Sequence, residues 1–260
     1  MEEPDGITCE IDVTAAGFPH RSAVILERER GTVSLLANKL KGTSTRGRAQ
    51  TTPAFTTRDL TDALASDADT LKQAAAYLIG RSKPADAQAS GRLIAALDEV
   101  LASSKSPLLR AEAAMSKALR GQKDGAAAVL KQSAKAAASD EPWVAAAYLA
   151  QMGDASGWPA IAAAVAEDAP QHHRTAALDA AVAFGPLQGE ASGDSKVDAF
   201  GVIEAATAAE AVGVRQLVPR LLREVGHPDA RAIIERIAGS DASSGVRAVA
   251  QYELGQLTSP

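Results

Sequence analysis

With 260 residues, 46% of them hydrophobic and 23% charged, the chain is too apolar to be disordered along its whole length. Aromatics make up only 3%, so Ala, Leu, Val and Ile carry the apolar content, which points to closely packed helices rather than a sandwich or barrel. A formal net charge of −5 argues against broad attraction to nucleic acid or anionic lipid, no run approaches the roughly eighteen apolar residues of a membrane span, and the single cysteine, Cys9, excludes an internal disulfide.

Residues 1–55 differ in texture from the rest. Ile7 to Val13 alternates loosely, Val24 to Leu26 is a short apolar run, and Thr32 to Leu36 is another, so a small strand pair or a cap is expected. Lys41 to Pro53 is polar, carries two glycines and reads as a linker. The opening M-E-E-P-D-G lacks a basic start followed by an apolar run, so a cytoplasmic protein is expected.

Helical signals begin at Thr56, whose hydroxyl can accept a backbone N–H while Asp59 lies three residues on, beside the positive end of the helix dipole. Leu71, Ala74, Ala75 and Leu78 form one stripe of the next helix, and Gly80 is expected to stop it in the left-handed conformation. Leu93, Ile94, Leu97, Val100 and Leu101 mark a third helix, and Ser106-Pro107 restarts the chain with proline in the first helical position. A further pair runs through Ala126, Val129 and Leu130 and restarts at Asp140-Glu141-Pro142. Another runs through Pro159, Ile161 and Val165 and restarts at Asp168-Ala169-Pro170. Gly185 to Lys196, with three glycines and a proline, reads as an extended loop. Helices are then expected over Val197–Val212, Val214–Val225, Asp229–Ala238 and Val246–Leu254, with a kink or restart at Pro219.

Gly121, Gly153 and Gly185 are evenly spaced, and each closes an Ala-rich run. Such a period is the mark of stacked helix pairs, each burying its apolar face only against its neighbours. The stretch from Gly153-Asp154 through Trp158-Pro159, Ile161, Val165, Asp168-Ala169-Pro170, Arg174 and Ala176-Ala177 to Gly185 resembles a HEAT-like repeat of the short bacterial kind. Ser240-Asp241 through Val246-Arg247, Ala250 and Leu254-Gly255 is similar to the second half of another copy. The resemblance implies an all-α chain: an α-solenoid, a right-handed superhelix of antiparallel helix pairs over 56–260, preceded by an irregular or small-β segment over 1–55.

Chemistry-bearing patterns are sparse. His172 and His173 are adjacent, so on a helix they point about 100° apart and do not converge on one ion, although Asp168 lies one turn from His172. His20, His227 and Cys9 complete no ligand spacing, and no metal is expected. Gly189 to Lys196 lacks the Gly-Lys-Ser/Thr of a phosphate loop, and Asp98-Glu99, Asp140-Glu141 and Glu167-Asp168 read as solvated or helix-starting acids. Trp143 and Trp158, both near helix starts, either fill space between helices, the favoured reading, or anchor a partner from an exposed edge. Arg110, Arg174 and Arg247 sit near comparable helix starts, where they would pair with turn aspartates or bind acidic ligands. The residues assigned to partner binding are therefore Trp143, Trp158, His172, His173 and Arg174, with no catalytic residue and no cofactor.

On this reading the chain is a non-enzymatic scaffold that binds another protein, with neither membrane nor nucleic acid as its target. The alternative implied by the resemblance is an enzyme or enzyme accessory of the bilin-lyase-like or DNA-glycosylase-like solenoid type. The acidity and scarce aromatics weigh most against the glycosylase version.

Overall fold

The computed structural model describes residues 6–7, 55–82, 84, 86–136, 141–166 and 169–258. The proposed strands beyond Ile7, the linker 41–53, Cys9, His20, Asp140, Glu167 and Asp168 lie outside them. The described chain is predominantly helical and divides into two compact units, the first running to Tyr148 and the second beginning at Leu149.

The first unit opens with two short strands, β1 (Gly6–Ile7) and β2 (Phe55–Thr56), paired antiparallel with Gly6 opposite Thr56. Helix α1 (Thr57–Leu64) then starts on a complete capping box: Thr56 Oγ1 accepts from the Asp59 N–H at 3.1 Å, and Asp59 accepts from the Thr56 N–H at 2.8 Å. It is followed by α2 (Asp69–Arg81), α3 (Ala87–Ser103), α4 (Pro107–Leu119), α5 (Ala126–Lys135) and α6 (Pro142–Gln151), the last crossing the boundary between the units. Asp86 and Ser106 cap α3 and α4, and Pro107 takes the first position of α4 as the sequence predicts. Within this unit α1 packs on α2 and α3 on α4. The pairs also join like to like, α1 on α3 and α2 on α4. Leu60, Leu64, Leu78, Ile79, Leu93, Leu97 and Leu109 form the core between them.

Two of the three evenly spaced glycines end helices in the same way. Gly121 has φ 85° and Gly153 φ 79°; in each case the glycine N–H reaches the carbonyl three residues back, and the following N–H reaches the carbonyl five back (Gln122 to Lys117 at 3.0 Å, Asp154 to Leu149 at 2.9 Å). This double bond pattern satisfies the last carbonyls of the helix and demands a left-handed residue. Gly80 does not behave as expected. It lies inside α2, and a Cβ there would sit 2.7 Å from the Ser116 Cα of α4. Its glycine is needed for close approach of two helices, not for a stop, and Ser116 Oγ uses that proximity to donate to the Ala76 carbonyl at 2.5 Å.

The second unit contains α7 (Trp158–Ala164), α8 (Gln171–Ala181), α9 (Ala199–Ala205), α10 (Val212–Val225), α11 (Ala230–Ser240) and α12 (Ser244–Thr258). Helix α8 packs on α10 and α10 on α12, while α11 packs on both α10 and α12. Three expectations are corrected here. Gly185 is not a left-handed stop: it sits in a 3-10 turn, Val182–Leu187, where a Cβ would come within 2.9 Å of Val225 Cγ2. The loop after it contains a hairpin, β3 (Ala191–Ser192) with β4 (Ser195–Lys196), turned at Gly193 with φ 62°. The single helix expected over 197–212 is instead α9, a 3-10 turn at Ala206–Ala208 and a fresh start at Val212. Pro219 sits inside an unbroken α10, between the buried Val218 and Leu221, so the packing of that stripe carries the helix past the hydrogen bond that proline removes.

Candidate partner-binding surface

The charged side chains of the second unit fall into two systems, one buried and one at the helix starts. In the buried one, Asp179 of α8, whose side chain is 0% exposed, accepts from Arg220 of α10 at 2.6 Å. Arg220 also grips Glu224 one turn along at 3.0 Å, and Arg223 of the same helix reaches Glu253 of α12 at 2.5 Å. Two arginines of the middle helix thus bridge to the helices on either side.

The electrostatics follow from that placement. Burial is the largest influence on Arg220 and works against its charge, yet the Asp179 and Glu224 carboxylates together outweigh it and hold the guanidinium above its ordinary value. For Glu224, burial pushes the pKa above the usual glutamate value and, with the nearby Asp179 charge, exceeds the pull of Arg220 and Arg223. A carboxylate that stays wet or accepts several donors behaves oppositely. Asp241 takes both Arg215 donors, at 2.9 and 3.3 Å, and the Ser243 N–H at 2.8 Å, which holds it below the ordinary aspartate range.

The helix-start system is positional. Arg110, Arg174, Arg215 and Arg247 are each the fourth residue of α4, α8, α10 and α12. Three of them reach back to the chain that precedes their own helix. Arg110 donates to the Leu101 carbonyl at 2.5 Å, Arg215 to those of Ala209 and Glu210 at 2.8 and 2.9 Å, and Arg247 to those of Asp241 and Ala242 at 2.6 and 3.2 Å. The arginines predicted to pair with turn aspartates therefore lock mainly onto backbone carbonyls, of the last turn of α3 for Arg110 and of the connecting segment for Arg215 and Arg247, and the aspartate pairing falls to Arg215. Arg174 makes no such bond among the described residues, where its Nε is buried without a hydrogen-bond partner.

Both tryptophans are interior residues, Trp143 at 6% and Trp158 at 2% exposure. Trp158 packs edge-on against Phe184, with centroids 5.4 Å apart. This is the space-filling role, and neither indole is available as a surface anchor. His172 is exposed and His173 half-buried at the start of α8, with their rings edge-to-face at 4.3 Å. His227 is remote in sequence and stacks on Phe200 at 3.7 Å. Of the acid pairs, Asp98 is engaged by Lys117 on the surface of the first unit. Among the described residues no group of three His, Cys, Asp or Glu is placed to hold a metal ion, and no helix is long and apolar enough to cross a membrane. So the structure brings His172, His173 and Arg174 together at one helix start and leaves both tryptophans elsewhere in the interior.

Sequence reasoning missed Arg215, Arg220 and Arg223. The spacing Arg220 to Glu224 was readable as a helical i,i+4 pair. The partners Asp179, Asp241 and Glu253 were not, since each comes from another helix.

No protein-family model matches the chain, and no curated protein matches it. Among solved structures, an engineered protein determined by the Northeast Structural Genomics Consortium is similar at 19% identity with a TM-score of 0.45, over 78% of this chain and 99% of that one. A likeness that distant carries no argument about fold family or function.

Proposed function

We propose that the chain is a non-enzymatic scaffold of the HEAT-like kind, a right-handed α-solenoid that works in the cytoplasm by presenting helix faces to a protein partner. What supports this most is the like-on-like packing inside each unit: α2 on α4 in the first, and α8 on α10 on α12 in the second. Helix pairs that meet second helix to second helix leave a row of side chains on one face, the arrangement with which repeat proteins present an extended surface. The recurrence of an arginine at the fourth residue of α4, α8, α10 and α12 supports the same reading, because at α4, α10 and α12 it ties the helix start to the chain before it.

Crosslinking with mass spectrometry in native cells tests the proposal. It should recover one reproducible protein partner, with crosslinks confined to one face of the helical units. Recovery of no reproducible partner, or of turnover of a small molecule by the purified chain, overturns it.

A further inference from the structure

Helix α12 (Ser244–Thr258) carries only two charged side chains, and both are engaged within the fold. Arg247 is half-buried and donates to the Asp241 and Ala242 carbonyls, while Glu253 is buried and paired with Arg223. The residues it exposes are uncharged throughout, from Ser244 and Ala248 through Gln251, Tyr252 and Gly255 to Gln256 and Leu257. Its neighbour α11 shows the ordinary pattern for a solvated helix, with Arg231, Glu235 and Arg236 all exposed.

The exposed residues are arranged as a face. Ser244, Ala248, Tyr252 and Gly255 follow one another three or four positions apart, so they form a stripe. The buried Val246, Ala250 and Glu253, on the side where α12 packs against α10 and α11, are offset from that stripe by two residues, about 200° round the helix. Tyr252, at 64%, is the most exposed of the large apolar side chains among the described residues. Small residues lie on both sides of it, and a Cβ on Gly255 would meet nothing within 4 Å, so another helix can approach this backbone closely.

Charge selects the occupant. Two copies of a chain with net charge −5 repel each other, and in a two-fold contact each side chain meets its own copy or that copy's neighbours. Any charge on the shared face would therefore meet its like. The face of α12 satisfies this condition where that of α11 does not, and a tyrosine amid uncharged residues is the composition of an interface centre. We propose that the exposed face of α12 docks a second copy of this chain, the two helices antiparallel about a two-fold axis with Tyr252 at the contact. This goes beyond the scaffold reading and does not depend on it. A helix of this length spans about 22 Å, and one such face is short of the roughly 800 Å² per partner of a tight complex, so the dimer is concentration-dependent.

Sedimentation equilibrium of the full chain from about 1 μM to 1 mM tests the proposal. The mass should rise from monomer towards dimer, and salt at about 1 M, which screens charges beyond about 3 Å, should leave the dimer in place. Tyr252→Glu, which sets like charges against each other, should weaken dimerisation about tenfold or more, and Gly255→Glu should do the same. Arg58→Gln, which removes an exposed arginine of α1 paired with Asp62, should leave it unchanged. Circular dichroism should report the same helix content in all variants, since both α12 positions are exposed. A monomer mass at every concentration, a dimer dissolved by salt, or dimerisation unaltered in both glutamate variants overturns the proposal. A different protein that binds the monomeric chain and is lost with Tyr252→Glu assigns the face to that protein and overturns it equally.

Discussion

The two units differ in which contacts dominate between their second helices, although Arg120 also reaches from the end of α4 to Ile79 and Ser82 in the first and Gly185 lies close against Val225 in the second. In the first, α2 and α4 meet through small groups: Gly80 lies against Ser116, and Ser116 closes the gap by donating to the Ala76 carbonyl. In the second, α8, α10 and α12 meet across long charged side chains, with Asp179, Arg220, Arg223 and Glu253 spanning the interfaces. Small residues gain close contact and dispersion at the cost of tolerance, because any added atom collides with backbone. In charged bridges every member depends on its partner, since a buried charge left alone costs more than the pair contributes.

The contrast is broken most severely in the second unit. Arg220→Ala removes the guanidinium from which the fully buried Asp179 accepts and is expected to cost about 3–5 kcal/mol in urea unfolding. In the first unit, Gly80→Ala forces a methyl into the Ser116 backbone and should cost about 1–3 kcal/mol, despite the better helix propensity of alanine. Gly121→Ala meets nothing within 4 Å, so only its left-handed φ of 85° is strained, and a loss of about 1–2 kcal/mol is expected. If Gly80→Ala stabilised the protein, as helix propensity alone would have it, the close-approach account of the first unit would be wrong.

Acid sharpens the comparison through sign. Asp241 has a folded pKa below its unfolded value, so its stabilisation is present above the unfolded pKa, near 3.9, and is lost as pH falls through the folded value. Asp241→Asn should therefore destabilise at pH 7, with the difference from wild type shrinking as pH falls below the unfolded value. Glu224 has a raised folded pKa, so ionisation works against the fold and stability declines as pH rises through that value. Glu224→Gln should show no loss at pH 7, and a loss comparable to that of Asp241→Asn would contradict the burial argument. The smallest effect is expected at Gly239, inside α11 with open space around it: Gly239→Ala should stabilise by about 0.5–1 kcal/mol.

What could be read in the sequence was what is decided locally. The Thr56–Asp59 capping box, the Ser106-Pro107 start and the stops at Gly121 and Gly153 involve residues within five positions of one another, and the structure has them as expected. Gly80 and Gly185 carry the same letter with a different role, because what they meet, Ser116 and Val225, lies tens of residues away. Pro219 was judged on its own missing N–H, whereas the buried stripe of Val218, Leu221 and Leu222 decides the helix. The candidate site shows the same division. Arg174 was legible from its place at a helix start, while its distinction, being the unmatched one of four, needed the carbonyl partners of the other three.

A double-mutant cycle between Asp179 and Arg220 tests most directly the claim that second helices of successive pairs pack on one another. Contact across α8 and α10 predicts a coupling energy above roughly 1.5 kcal/mol, with the double variant far less damaged than the two single losses would give. Losses that simply add, within about 0.5 kcal/mol, would place the two side chains apart and contradict the stacking.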